Sequence, residues 1–108
     1  MPAETESYLA TLTALYLRLP ETPRRLSRFD HRLARHLFQR HVPLALVEAA
    51  FLLASARRAS RPASAPPLGP IRSLHYFLPV IEELLKQPLP ASYLAYLRSK
   101  VPLRPPPH

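Results

Sequence analysis

Arginine is the residue with most chemistry to offer in this sequence, and it recurs at regular spacing where it is most concentrated. Between Thr22 and Arg61 stand nine arginines (Arg24, Arg25, Arg28, Arg32, Arg35, Arg40, Arg57, Arg58 and Arg61) against only Asp30 and Glu48. The guanidinium is a planar fork of donors that keeps its charge and matches phosphate oxygens in a way lysine does not. Arg28, Arg32, Arg35 and Gln39 recur at helical spacing, with Arg24 and Arg25 just ahead of them. A row of this kind can follow a phosphate backbone, and Arg57, Arg58 and Arg61 could extend the track. An ordinary solvated face is the plain alternative, but such faces mix signs to limit repulsion. An acidic protein partner is the third reading. Farther on, His75 and Tyr76 could stack on bases, whereas Phe77 is at core spacing.

Other chemistries find little support. The sequence has no HExxH, no glycine-rich phosphate loop and no GxSxG. Glu82 and Glu83 are adjacent, so a helix turns them apart. His31, His36 and His41 recur every five residues, about 140° apart on a helix, so they read as surface histidines and not as one metal site. Cysteine is absent, which removes disulfides and zinc-thiolate sites. The expectation is a non-enzymatic protein with no cofactor and no metal.

These side chains need elements to hold them, and the composition favours helices. There are fifteen prolines and one glycine in 108 residues, and no asparagine. Tight hairpins normally need Gly or Asn-Gly turns, whereas Leu, Ala and Arg are good helix formers. Periodicity predicts a first helix from about Glu4 to Leu19, with Tyr8, Leu12, Leu15 and Leu19 inward and Pro20 as its stop. Ser27 is a good N-cap, with Asp30 as a capping-box partner. The second helix then runs from about Arg28 to His41 on a buried stripe of Phe29, Leu33 and Leu37. Val42-Pro43 breaks it.

The third helix, about Leu44 to Arg58, is apolar round most of its circumference and belongs in the middle of a bundle. Residues 59–70 read as a mobile Pro/Ala/Ser linker loop within one domain spanning 1–101. A fourth element covers Ile71 to Gln87. Either Pro79 kinks it, or a short turn ends near Leu78 and a new helix starts at Pro79. A short last helix from Ala91 to Lys100 should turn Tyr93, Leu94 and Leu97 inward, and 102–108 reads as a disordered tail.

The segment from Leu33 to Val47 has the flavour of a helix-turn-helix, but its turn lacks glycine and its second helix offers only Glu48 as a polar reader. A plain helical hairpin is the better reading, so any nucleic-acid contact should be to backbone.

The formal net charge is +8, and thirteen of the fifteen basic residues are arginine. GC-rich coding would favour Arg over Lys, but it does not produce a net charge. No apolar run approaches the roughly 18–20 residues of a membrane span, and the acidic start Met1-Pro2-Ala3-Glu4 is unlike a signal peptide. A cytoplasmic location is the expectation.

The order of motifs carries a resemblance. Ser27-Arg28-Phe29-Asp30, Leu33-Ala34, Val42-Pro43-Leu44, Ala56-Arg57-Arg58 and Ile71-Arg72-Ser73-Leu74-His75-Tyr76-Phe77 look like the small helical proteins that bacterial mobile elements and plasmids carry beside replication genes. More distantly, residues 8 to 86 are similar to the DnaD-like helical domain of replication-restart proteins. That resemblance implies DNA contact from the helix region around Tyr76-Phe77 and Val80 to Leu84, although Pro79 departs from a smooth terminal helix. The expectations are therefore an all-α bundle of four to five helices and a DNA-binding accessory role in replication or mobile-element maintenance, DNA being favoured over RNA. A helical module that docks an acidic protein or its own copy is the alternative, with no membrane partner in either case.

Overall fold

Prolines and polar caps decide where each helix of this chain starts and stops. The structure, a computed structural model, describes residues 3–105. Five α-helices form: α1 (Ala3–Leu17), α2 (Arg28–Gln39), α3 (Leu44–Ala59), α4 (Leu78–Lys86) and α5 (Ala91–Lys100). A one-turn 3-10 helix, Leu74–Phe77, runs directly into α4. No strand is present among the described residues. Pro79 sits in the first turn of α4, where its missing N–H has no intrahelical role, so it starts that helix rather than kinking one. The second of the two sequence readings is the one adopted.

α1 ends two residues before the predicted Leu19. Buried Thr22 stands behind its end and donates its hydroxyl to the carbonyls of Tyr16 and Leu19, each at 3.0 Å. That one proton, shared between them, supplements the Leu19 N–H that the Tyr16 carbonyl of the last turn also accepts at 3.2 Å.

α2 closes with a Schellman arrangement. His41 N–H reaches the Phe38 carbonyl at 3.0 Å and Val42 N–H reaches the Leu37 carbonyl at 3.1 Å. His41 therefore sits at φ 60, where glycine is the usual occupant. A side chain in that region costs about 1 kcal/mol, so His41→Gly should stabilise the fold by that amount and raise Tm by about 4 °C in a thermal melt. An unchanged or lower Tm would mean the His41 side chain contributes something the backbone cost conceals.

α3 is the axis of the bundle. Every residue from Ala49 to Ser55 is buried, which a helix achieves only with neighbours on all sides. α1, α4, α5 and the 3-10 turn pack on it, while α2 lies outside them against α1 and the 3-10 turn. At the centre Phe51 and Phe77 stand 4.9 Å apart, and Tyr16 completes a triangle at 6.0 Å from each ring. Tyr8 joins α1 to α2 edge-on to Phe38 at 5.2 Å. Its hydroxyl donates to the Val42 carbonyl at 2.7 Å, and burial pushes it up to about 12.

Tyr16 differs, because its fully buried hydroxyl has no hydrogen-bond partner. Burial, with the Asp30 charge adding to it, pushes its ionisation well above the ordinary range. Tyr16→Phe should thus be neutral or stabilising by up to about 1 kcal/mol, while Tyr8→Phe loses about 1 kcal/mol. Denaturant titration of the two variants checks the contrast, and equal losses would show that Tyr16 is satisfied after all.

Two other expectations change. Phe29, placed by periodicity in the buried stripe of α2, is 66% exposed. Asp30 is 1% exposed and takes its place, next to Leu33, Ala34 and Leu37. On α5 only Leu97 is fully buried; Leu94 is half-buried and Tyr93 is exposed, stacked on Tyr96 at 5.7 Å.

The linker is held at several points. Arg58 donates to the Gly69 carbonyl at 2.6 Å and Arg61 to the Pro66 carbonyl at 2.8 Å, and Ile71 N–H donates to the Glu21 carbonyl at 2.9 Å. The tail expected to be disordered from Pro102 makes specific bonds as far as it is described. Arg104 donates to the carbonyl and hydroxyl of Thr22, and Arg18 donates to the Arg104 carbonyl. Residues 106–108 of that tail lie outside the described residues.

Candidate nucleic-acid interface

α2 is built so that one side must face outward. With about 100° per residue, Asp30, Leu33, Ala34 and Leu37 share one side. These four are the buried residues of the helix. Arg28, Arg32, Arg35 and Gln39 fall opposite them, and all four are exposed. Ser27 caps the helix by accepting Asp30 N–H at 3.1 Å, which fixes where that row begins.

The second half of the predicted capping box is not made. The Asp30 carboxylate crosses instead to the neighbouring element, where it accepts Ser73 Oγ at 3.0 Å and Leu74 N–H at 3.1 Å. One buried acid thus caps the 3-10 turn and ties it to the first turn of α2. This bond seats His75 beside α2, with Nδ1 3.1 Å from Ser73 Oγ and 3.8 Å from Asp30. Ser73, His75 and Asp30 are the residue types of a nucleophilic triad. Their bonding is that of a cap, however: the serine donates to the acid and accepts His75 N–H at 3.0 Å.

The nine arginines separate into two groups. Arg40 pairs with Glu82 at 2.7 Å and Arg57 with Glu83 at 2.7 Å. Those hydrogen bonds hold both carboxyls below the usual carboxylate range. Arg58 has a side chain only 8% exposed. It bonds both carboxylate oxygens of Glu21 and lies 5.4 Å from the ring centroid of Tyr76. Arg61 is engaged with the linker. Arg24, Arg25, Arg28, Arg32 and Arg35 have no ion pair among the described residues, and all five are exposed. Four of the seven acids neutralise arginines elsewhere, Arg98 with Glu48 being the fourth pair, and Asp30 is buried. None of these four pairs involves the five arginines just before and along α2.

The two candidate stacking residues face different surroundings. Tyr76 lies against Arg58, whose guanidinium also donates to its hydroxyl at 3.3 Å. His75 instead lines an open groove between α2 and the 3-10 turn, with Phe29, Arg32, Leu33, Arg35, His36 and Gln39. The Arg32 guanidinium lies 5.8 Å from the Phe29 ring centroid. Exposed Arg72 enters the same 3-10 turn and carries no ion pair among the described residues.

Phe29 and Arg72 were not singled out from sequence as site residues. Periodicity put Phe29 in the buried stripe of α2 and gave Asp30 only a capping role. An aliphatic stripe gives no reason to choose the acid until its partner on the 3-10 turn is known.

Helix α3 has no exposed polar side chain before Arg57, so it presents no base-reading row. Among the described residues no three His, Asp or Glu side chains gather as metal ligands. No helix among them is long and apolar enough to cross a membrane. Comparison with protein-family models, curated proteins and solved structures finds no match for the chain.

Proposed function

We propose that this basic helical bundle is a nucleic-acid-binding accessory protein that holds DNA chiefly by its phosphates. One observation carries the reading: five arginines just before and along α2 stand exposed with no ion pair among the described residues, while Arg40, Arg57, Arg58 and Arg98 are each paired with a glutamate. An unpaired guanidinium row has a standing attraction for a polyanion, and it gives up no existing ion pair on binding. The contacts narrow to Arg24, Arg25, Arg28, Arg32 and Arg35. Arg40, Arg57 and Arg58 serve the fold first. No catalytic role is assigned. A place in replication or mobile-element maintenance rests on the sequence resemblance and goes with this reading.

Fluorescence anisotropy of labelled single- and double-stranded DNA at ~50 and ~200 mM salt tests it. Micromolar or tighter binding that weakens steeply with salt supports the reading. Absence of binding at the lower salt by a normally helical protein would sink it, and retention of one acidic protein on the same arginine row would replace it.

A further inference from the structure

Phe29 is an anomaly on a charged helix. It is the most exposed large apolar side chain on the described surface, and it stands at the edge of the arginine row rather than in a satellite core. Around it lie Arg32, Arg35, His36, Gln39 and His75, which line one open groove with it. An exposed ring beside several planar, hydrogen-bonding groups suits a flat ligand with polar edges, and the unpaired arginines select one that carries negative charge. A base presents its face only when it is unstacked, so a ring of this kind distinguishes an open strand from a duplex.

We propose that the groove between α2 and the 3-10 turn binds an unpaired nucleic-acid strand, with one base stacked on Phe29 and the flanking phosphates held by Arg28, Arg32 and Arg35. The inference rests on the nucleic-acid reading above and names the form of its ligand. Arg28 and Arg35 are separated by about 10 Å along the helix axis, the length of roughly three stacked nucleotides. The row therefore spans the phosphates on either side of one stacked base. His36 and His75 offer ring edges to that base from the two walls of the groove. Asp30 keeps the walls together from beneath, through Ser73 and Leu74.

The test compares the full chain with Phe29→Ala and Phe29→Tyr on three probes of equal phosphate count: an oligo-dT strand, the same strand with abasic sites, and a duplex. Phe29→Ala should weaken oligo-dT binding roughly 5- to 100-fold, the range for losing one stacked base. Its salt dependence should not change, because no charge is removed. Duplex and abasic binding should stay within about 2-fold, and Phe29→Tyr should retain oligo-dT binding because the ring remains. The chain has no tryptophan, so Phe29→Trp adds a single fluorophore at the site. Its emission should be quenched by oligo-dT and not by the abasic strand. Because Phe29 is 66% exposed, these variants should keep the helical spectrum.

Unchanged oligo-dT affinity in Phe29→Ala would overturn the stacking proposal, and so would an equal loss on the duplex, which would mark Phe29 as a wedge between paired steps. Either result leaves the phosphate reading standing if removal of the arginines still abolishes binding. Failure of the wild type to bind any probe overturns both.

Discussion

Removing Arg28, Arg32 and Arg35 together should reduce DNA affinity at ~50 mM salt by on the order of 100-fold and flatten its salt dependence. Each phosphate contact contributes about 0.7 to 0.9 to the slope of log affinity against log salt, depending on strand form. Five contacts, from Arg24, Arg25, Arg28, Arg32 and Arg35, predict that wild-type affinity falls roughly 100- to 500-fold between ~50 and ~200 mM. The Arg28/Arg32/Arg35→Ala variant keeps two contacts, and its affinity should fall only about 10-fold over the same interval. All three side chains are exposed and make no ion pair among the described residues, so the helical spectrum should be unchanged.

A charge-matched variant, Arg57/Arg98/Lys100→Ala, separates location from net charge. It also removes three positive charges, but from α3 and α5, where Arg57 and Arg98 are already neutralised by Glu83 and Glu48. It should bind within a few-fold of wild type, since exposed ion pairs contribute little elsewhere. Equal losses in the two variants would show that DNA responds to overall charge and that α2 has no special part.

Asp30→Ala should be the most destabilising single change near the site, by roughly 3 kcal/mol, with Tm falling about 10–15 °C. Asp30 is buried, and its carboxylate is the partner of two donors on another element, Ser73 Oγ and Leu74 N–H. Truncation leaves the buried Leu74 N–H without an acceptor and takes the carboxylate partner from Ser73 Oγ, and each such loss to a charged group costs about 1.5–3 kcal/mol. It also frees the 3-10 turn from α2, so the His75 wall of the groove should loosen. Asp30→Asn keeps one acceptor oxygen and should fall between wild type and Asp30→Ala. A drop of less than about 3 °C in Asp30→Ala, measured by circular dichroism, would show that water replaces the carboxylate and that the two elements are joined by packing alone.

The architecture was legible in this sequence because helices announce themselves locally. Leu44 to Ala54 is apolar round most of its circumference, with Glu48 its one charged residue, and such a helix belongs in the middle of a bundle. α3 is central, with Ala49 to Ser55 buried throughout. α5 runs from Ala91 to Lys100 as its proline boundaries indicate, and Ser27 caps α2. The arginine row was legible for the same reason, since spacing of four and three puts Arg28, Arg32 and Arg35 on one side of any helix.

The remainder depends on contacts between elements. Which arginines are free depends on where Glu21, Glu82 and Glu83 arrive, and these lie 37, 42 and 26 residues from the partners they neutralise. No local pattern encodes a pairing across that distance. Phe29 and Asp30 exchanged their expected places for a similar reason. Apolar preference alone buries the phenylalanine, and it yields only when a serine and an N–H some 43 residues away offer the carboxylate two donors. The helices and the side of α2 that faces outward could be read along the chain, because both follow from period and propensity. Which arginines on that side lack an ion pair, and the aromatic ring left beside them, are set by contacts between elements, which exist only once the chain has folded.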